Sequence, residues 1–318
     1  MKIKLLAFDS MGTRSMCSVI ETKNAKILID PSAALGPHRY GLKPHPLERE
    51  KLKEHKALIR EEAENADLII ITHYHYDHFP RPSEEINWLR GKRILLKDPI
   101  NMINFSQKMR AKIFLARLRK IGAKPEIADS KEMRIQGCKI SFSPPVNHGN
   151  DSKLGFVLEV LVMEGGEKVV HSSDVEGFVN EDQLKFVLRH KPDVLICDGP
   201  MTYMLGSRFS EEDLEKSLAN LIKIVKKGFL SDLIIDHHAA RDLEWRSRIS
   251  PLLREGDGAG VRVISAASYM GMKEELLEAR RKELYEKFKE EAGGEVSKRS
   301  LSSGSTRGNG LRRHVTPR

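Results

Sequence analysis

The sequence predicts an α+β fold of two packed sheets flanked by helices. Three observations carry that expectation. Short apolar runs with turn chemistry between them fill the first thirty residues. Strand-like and helix-like segments then alternate through both halves of the chain, the pattern of a layered α+β architecture. No self-similarity at a fixed period turns the chain into a repeat array.

Lys2–Phe8, Met16–Glu21 and Lys26–Ile29 read as strands, separated by Gly12-Thr13-Arg14 and Lys23-Asn24. An insertion at about 32–66 begins loop-like, with Gly36, Pro37, Gly41, Pro44 and Pro46, and continues as a charged helix over 47–65. The apolar run 67–72 has the composition of a buried strand. A short helix over 83–90, a strand over 93–97 and a long helix over 105–121 come next. Strands over 139–143, 155–163 and 168–171 are punctuated by Pro144-Pro145 and Gly165-Gly166. Helices over 180–190, 211–227, 243–254 and 271–291 then interleave with strands over 193–197, 233–236 and 261–265. Residues 1–292 are expected to form one domain. Residues 293–318, rich in Ser, Gly and Arg without hydrophobic periodicity, are expected to be a disordered basic tail.

At 318 residues, with 40% hydrophobic and 31% charged, the chain has the composition of a globular protein and can bury a sizeable core. No apolar run approaches the ~20 residues that a membrane helix needs. The apolar stretch after Met1 breaks at Asp9, too early for a secretory leader. A cytoplasmic protein is therefore expected. Cys17, Cys138 and Cys197 are odd in number and far apart, which argues against a disulfide framework. They read as small buried hydrophobes. The net charge of +9 suggests an acidic partner, but residues 296–318 hold six Lys/Arg and no Asp/Glu, leaving +3 for the rest. Charge alone does not make the folded part a nucleic-acid binder.

The chemistry concentrates in His73-Tyr74-His75-Tyr76-Asp77-His78, directly after a buried strand. Residues two apart on an extended or tightly looped segment project the same way, so His73 and His75 can face one cation. Asp77 and His78 can face a second. Neutral imidazole and carboxylate are ligands that suit zinc and similar divalent ions. A His-rich surface turn is the bland alternative, and three His and an Asp in six residues at a strand end argue against it.

This run resembles the signature of the metallo-β-lactamase superfamily, and the family's other elements appear in order. Ile27-Leu-Ile-Asp30-Pro31 matches the Asp that ends an early strand, and Asn147-His148-Gly149 the lone loop His. Val169-Val-His-Ser-Ser-Asp174 matches the Asp after a later strand, and Leu233-Ile-Ile-Asp-His237-His238 the final His. The stretch Arg14-Ser-Met-Cys-Ser-Val-Ile-Glu-Thr looks especially like an uncharacterised archaeal branch of the superfamily.

The resemblance implies a four-layer αββα sandwich and a metal-dependent hydrolase. By that likeness His73, His75 and His148 hold one metal, Asp77, His78 and His237 the other, and Asp174 bridges them. Asp30 orients a ligand imidazole, and the catalytic Asp77 also guides the nucleophile. His237 is preferred to His238 because neighbours on an extended chain face opposite sides. His238, Arg241 and Tyr203 are candidates for contact with the leaving group. Two divalent ions, zinc or else manganese or iron, share a hydroxide that attacks an ester, lactone or phosphodiester. The other reading is a nucleic-acid-binding protein, or a nuclease of this fold acting on RNA. The basic helix with Lys108, Arg110, Lys112, Arg117, Arg119, Lys120 and Lys124 would then supply affinity. In the insertion, His38, Arg39, Tyr40 and His45 are candidates to touch an anionic substrate.

Overall fold

The computed structural model describes residues 1–287. The tail expected over 293–318 lies outside the described residues.

Two sheets form the centre. In the first, β1 (Lys2–Phe8), β2 (Met16–Glu21), β3 (Lys26–Ile29), β4 (Leu68–Ile71), β5 (Arg93–Leu96) and β6 (Lys124–Ile127) lie side by side in chain order. β1–β3 pair antiparallel and β3–β6 parallel. The second sheet is built from β7 (Glu132–Ile135), β8 (Cys138–Phe142), β11 (Val160–Glu164), β12 (Glu167–His171), β13 (Val194–Cys197), β14 (Asp232–Ile235) and β15 (Arg262–Ile264). A separate small ribbon pairs β9 (Val146–Asn147) with β10 (Phe156–Val157).

Strands without polar residues result from burial on both faces. In β14, Ile234 packs between the sheets beside Ile140, Val160 and Ile70, whereas Leu233 and Ile235 face outward. The outward face meets α3 (Glu181–His190), α4 (Glu211–Val225) and α6 (Ser250–Ala259) through Leu184, Leu221 and Leu252. On the other side, Leu28, Ile69 and Ile94 meet α1 (Pro46–Glu64) and α2 (Phe105–Lys120) through Ile59, Ala63, Phe114 and Leu118. The result is the expected αββα sandwich.

Several boundaries differ from expectation. The helix expected over 83–90 is a single 3-10 turn, Asn87–Leu89, and Arg117 takes the Glu84 carbonyl that a helix would have used. The strand expected over 155–163 is broken: Leu158 N–H reaches Thr72 O and Glu159 N–H reaches Ser143 Oγ, so β10 and β11 belong to different ladders. The helix expected over 243–254 is two, α5 (Trp245–Arg248) and α6, because Ile249 stands at the cap of a new first turn that carries Pro251. Residues 272–280 are not helical, and helix resumes at 281–287; the rest of the expected 271–291 helix lies outside the described residues. β6 and β7, absent from the sequence reading, are edge strands of mixed polarity, and β6 tolerates Pro125 because an edge leaves an N–H unneeded.

The insertion is tied down rather than solvated. His45 caps α1 in a reciprocal box with Glu48. Arg281, buried, makes a two-pronged ion pair with Glu48 at 2.6 and 2.8 Å and donates to the carbonyls of Gly36 and Leu42. Removing one partner of such a pair strands the other charge. Arg281→Ala is expected to cost about 3–5 kcal/mol, read as a lowered denaturant midpoint, with the joint Arg281→Met, Glu48→Leu variant recovering much of the loss.

Candidate metal centre

Both sheets present the carboxyl ends of their parallel strands to one side, and the functional side chains lie there. Asp9, Asp30, Asp198 and Asp236 each follow directly on the last residue of a strand. Asp30 adopts φ 52°, a left-handed conformation that Asp tolerates better than most residues. It accepts from Thr72 N–H at 2.8 Å and Thr72 Oγ1 at 2.7 Å, fixing the start of the histidine run. Its Oδ2 also lies 2.8 Å from His78 Nδ1, leaving His78 Nε2 to face Asp174 Oδ1 at 3.2 Å.

Asp174 stands at the convergence. Its Oδ2 lies 3.2 Å from His148 Nε2, 3.5 Å from His237 Nε2, and 3.7 Å from Nε2 of both His73 and His238. Potential ligand atoms of His73, His75, His148 and Asp174 all lie within 4.8 Å of one another, as do those of Asp77, His78 and His237. The two clusters are compatible with a two-metal site. Buried His73 Nε2, His78 Nε2 and Asp174 Oδ1 have no hydrogen-bond partner, which is what a cation-binding site requires of its donors. The donor set, imidazoles and carboxylates without thiolate, suits zinc, manganese or iron.

The charges respond to this crowding. Burial holds His73 well below the ordinary imidazole range, reinforced by His78. Burial likewise lowers His75 to about 3, with His148 adding to it. Burial works against charging His148, yet Asp174 and Glu176 lift it to about 10. Burial also opposes ionisation of Asp174, but His78 and His237 hold its carboxyl well below the usual range.

Both His237 and His238 enter the site, which corrects the expectation that only one would. The chain is not extended there: His237 has φ 33° and His238 sits at φ −69°, ψ −40°. The two rings lie 4.7 Å apart and only 32° from parallel. Asp9 Oδ2 holds His237 Nδ1 at 2.7 Å, and Asp198 Oδ2 holds His238 Nδ1 at 2.9 Å. Arg241 donates to Asp9 at 2.9 Å and to Tyr203 Oη at 3.2 Å, and its Nη2 comes within 3.0 Å of His237 Nε2.

Sequence reasoning missed Asp9, Asp198, Asp236 and Glu176. Asp236 accepts from the N–H groups of Ser10, His237 and Ala266, joining the second sheet to the first at the site. Glu176 is buried beside His148, 3.7 Å from its Nδ1. Gly149 lets it in: a Cβ there would lie 2.2 Å from the Glu176 carboxyl carbon. The legible signal was an Asp immediately after an apolar run, repeated along the chain.

The insertion contributes less chemistry than expected. His45 caps a helix, Tyr40 donates to Ala279 O, and His38 is exposed away from the pocket lining. Arg39 alone comes near, stacking over Tyr203 at 5.0 Å and donating to Arg241 O. The cations of α2 do not form one stripe. Arg110 lines the same pocket as the His/Asp cluster, Arg117 is spent on loop carbonyls, and Lys108, Lys112 and Arg119 rim a separate apolar groove.

Residues 25–204 match the family model described as a beta-lactamase superfamily domain. Among solved structures, the metallo-beta-lactamase fold protein YhfI from Bacillus subtilis is similar at 13% identity and TM-score 0.49, over 83% of this chain and 95% of that one. The chain belongs to the metallo-β-lactamase superfamily. Within it, a UPF0282 protein of Korarchaeum cryptofilum is 48% identical over 288 residues, 91% of this chain and 95% of that protein. A UPF0282 protein of Sulfurisphaera tokodaii is 45% identical, over 90% of this chain and 94% of its own length. These archaeal UPF0282 proteins are this chain's family too.

Outer partners set ligand orientation and basicity, and losing one costs about 10–100-fold in metal affinity. Asp30→Ala, which frees both Thr72 and His78, is expected to weaken metal binding on that scale in competition with a chromophoric chelator.

Proposed function

We propose that this chain is a two-metal hydrolase, zinc-dependent or supplied with manganese or iron, acting on an ester, lactone or phosphodiester. The observation that carries the reading is the convergence on Asp174 of imidazoles from three separate segments, with buried donor atoms left unpartnered. His73, His75 and His148 would hold one cation, Asp77, His78 and His237 the other, and Asp174 both. A bound pair of divalent cations lowers the pKa of water toward 7 and polarises the scissile group.

The chain's own residues do the rest. Asp77 borders the pocket and is less enclosed than Asp174, so its carboxylate can direct the attacking water and accept its proton. His238, fixed by Asp198, turns Nε2 toward the same centre, and Tyr203, bonded by Arg241, lines the pocket with its ring 6.5 Å from that of His238. Both are placed to meet a leaving group. Ala34, Leu35 and Pro37 form an apolar part of the pocket wall. Among the described residues no helix is long and apolar enough to cross a membrane. A cytoplasmic location for a single hydrolase unit over 1–292 is part of the proposal.

A second reading rests on Arg241, whose guanidinium lies 3.6 Å from Asp77 Oδ2 as well as beside His237, where the second cation would sit. On that reading the chain holds one metal. Metal analysis separates the two: two ions per chain are expected, and one ion at saturation overturns the two-metal proposal. The full chain is also expected to hydrolyse bis(p-nitrophenyl) phosphate or a lactone, and to stop on chelation. Asp174→Ala should lower kcat by about 10²–10³-fold or more, the scale of removing one preorganised electrostatic group.

A further inference from the structure

Five arginines line the cavity of about 430 Å³ over the metal cluster: Arg14, Arg81, Arg110, Arg208 and Arg241. Two of them are committed. Arg14 grips Glu278 through Nε at 2.6 Å, and Arg241 is held by Asp9 at 2.9 Å. Arg81, Arg110 and Arg208 have no carboxylate partner among the described residues.

The three arginines without a carboxylate partner do not belong to one solvated helix face. Arg81 follows the histidine run, Arg110 lies on α2, and Arg208 lies on the loop before α4. Three distant segments bring them to one cavity. Tyr76, between two residues of the metal cluster, anchors two of them: the guanidinium of Arg81 lies 4.8 Å from its ring centroid and that of Arg110 4.9 Å. Arg110 Nη1 also donates to Tyr74 O at 3.2 Å, leaving most of its fork free. Stacking on an aromatic ring holds a guanidinium plane in place and so reduces the entropy lost when it grips an anion.

The acidic groups in the cavity lining, Asp77, Asp174 and Glu176, sit among the histidines. They face cations if the metal reading holds, and they do not neutralise three arginines at the mouth. A neutral ester or lactone has no use for this excess. A planar fork with free N–H groups is the recognition element for phosphate.

We infer that the cavity takes a small organic phosphate, with a phosphate group outside the reacting bond seated on Arg81 and Arg110, which Tyr76 holds side by side. The inference builds on the hydrolase proposal in treating the anion as substrate, but the anion site itself does not require turnover. A cavity of about this size suits a nucleotide-sized molecule rather than a polymer.

The test compares thymidine 5′-phosphate with thymidine 3′,5′-bisphosphate, titrated calorimetrically into the full chain with its metals. One phosphate of either probe is free to meet the metals, so the difference reports the second seat. The bisphosphate is expected to bind about tenfold tighter or more, the scale of one added charge-assisted contact. Arg81→Gln and Arg110→Gln should each erase most of that difference, Arg110→Lys only part of it, and Lys112→Gln, on the far side of α2, none. Equal binding of the two probes, or a difference that survives both Gln variants in folded protein, overturns the inference. The p-nitrophenyl esters of the same nucleotides supply the kinetic arm, with the 3′-phosphate lowering KM. Arginine-dependent binding without hydrolysis of any ester sinks the hydrolase proposal and keeps the anion site. Hydrolysis indifferent to the 3′-phosphate does the reverse. An oligoribonucleotide that binds tighter than the bisphosphate, and loosens in Lys112→Gln, overturns the small-molecule assignment.

Discussion

Five imidazoles from three segments approach one carboxylate, that of Asp174, and the architecture exists to hold them there. Histidines packed this closely in a dry interior repel when charged and lose solvation in any case. Four of the five are held from behind by a hydrogen-bonding partner. Asp30 holds His78, Asp9 holds His237, Asp198 holds His238, and the hydroxyls of Thr72 and Ser173 flank His73 Nδ1 at 3.2 and 3.3 Å. Ser173 in turn meets Thr72 Oγ1 at 2.7 Å, linking the two sheets at the centre of the site.

The supporting carboxylates explain why the site lies at the strand ends. A parallel strand releases its last residue where its neighbours release theirs, so an Asp placed just after the apolar run falls into line with the others. Asp9 and Asp30 come from the first sheet, and Asp198 and Asp236 from the second. Asp236 binds Ser10 N–H across the seam, which locks the register of one sheet's edge against the other. Sheet packing and the placement of ligands are thus one problem with one solution.

The histidine run, His148, Asp174 and His237 were legible in the sequence because each punctuates an apolar strand and belongs to a recognisable ordered pattern. Asp9, Asp198 and Asp236 were not, since one Asp after one strand reads equally well as a turn former. The pairing of His237 with His238 depends on a left-handed backbone at His237 that no side chain announces. The doubly buried strands were clear from composition. The polar edge strands β6 and β7, and the break at 158–159, were settled by tertiary partners, which local propensity does not see.

The clamp made by Arg281 has a bearing on how the molecule is born. Gly36 and Glu48, which it fastens, leave the ribosome some 230 to 245 residues ahead of it. Until that arginine emerges, the wall beside the pocket lacks its fastener, although every histidine of the cluster has already been synthesised. A nascent chain therefore carries every histidine of the cluster before it carries the arginine that fastens the neighbouring wall.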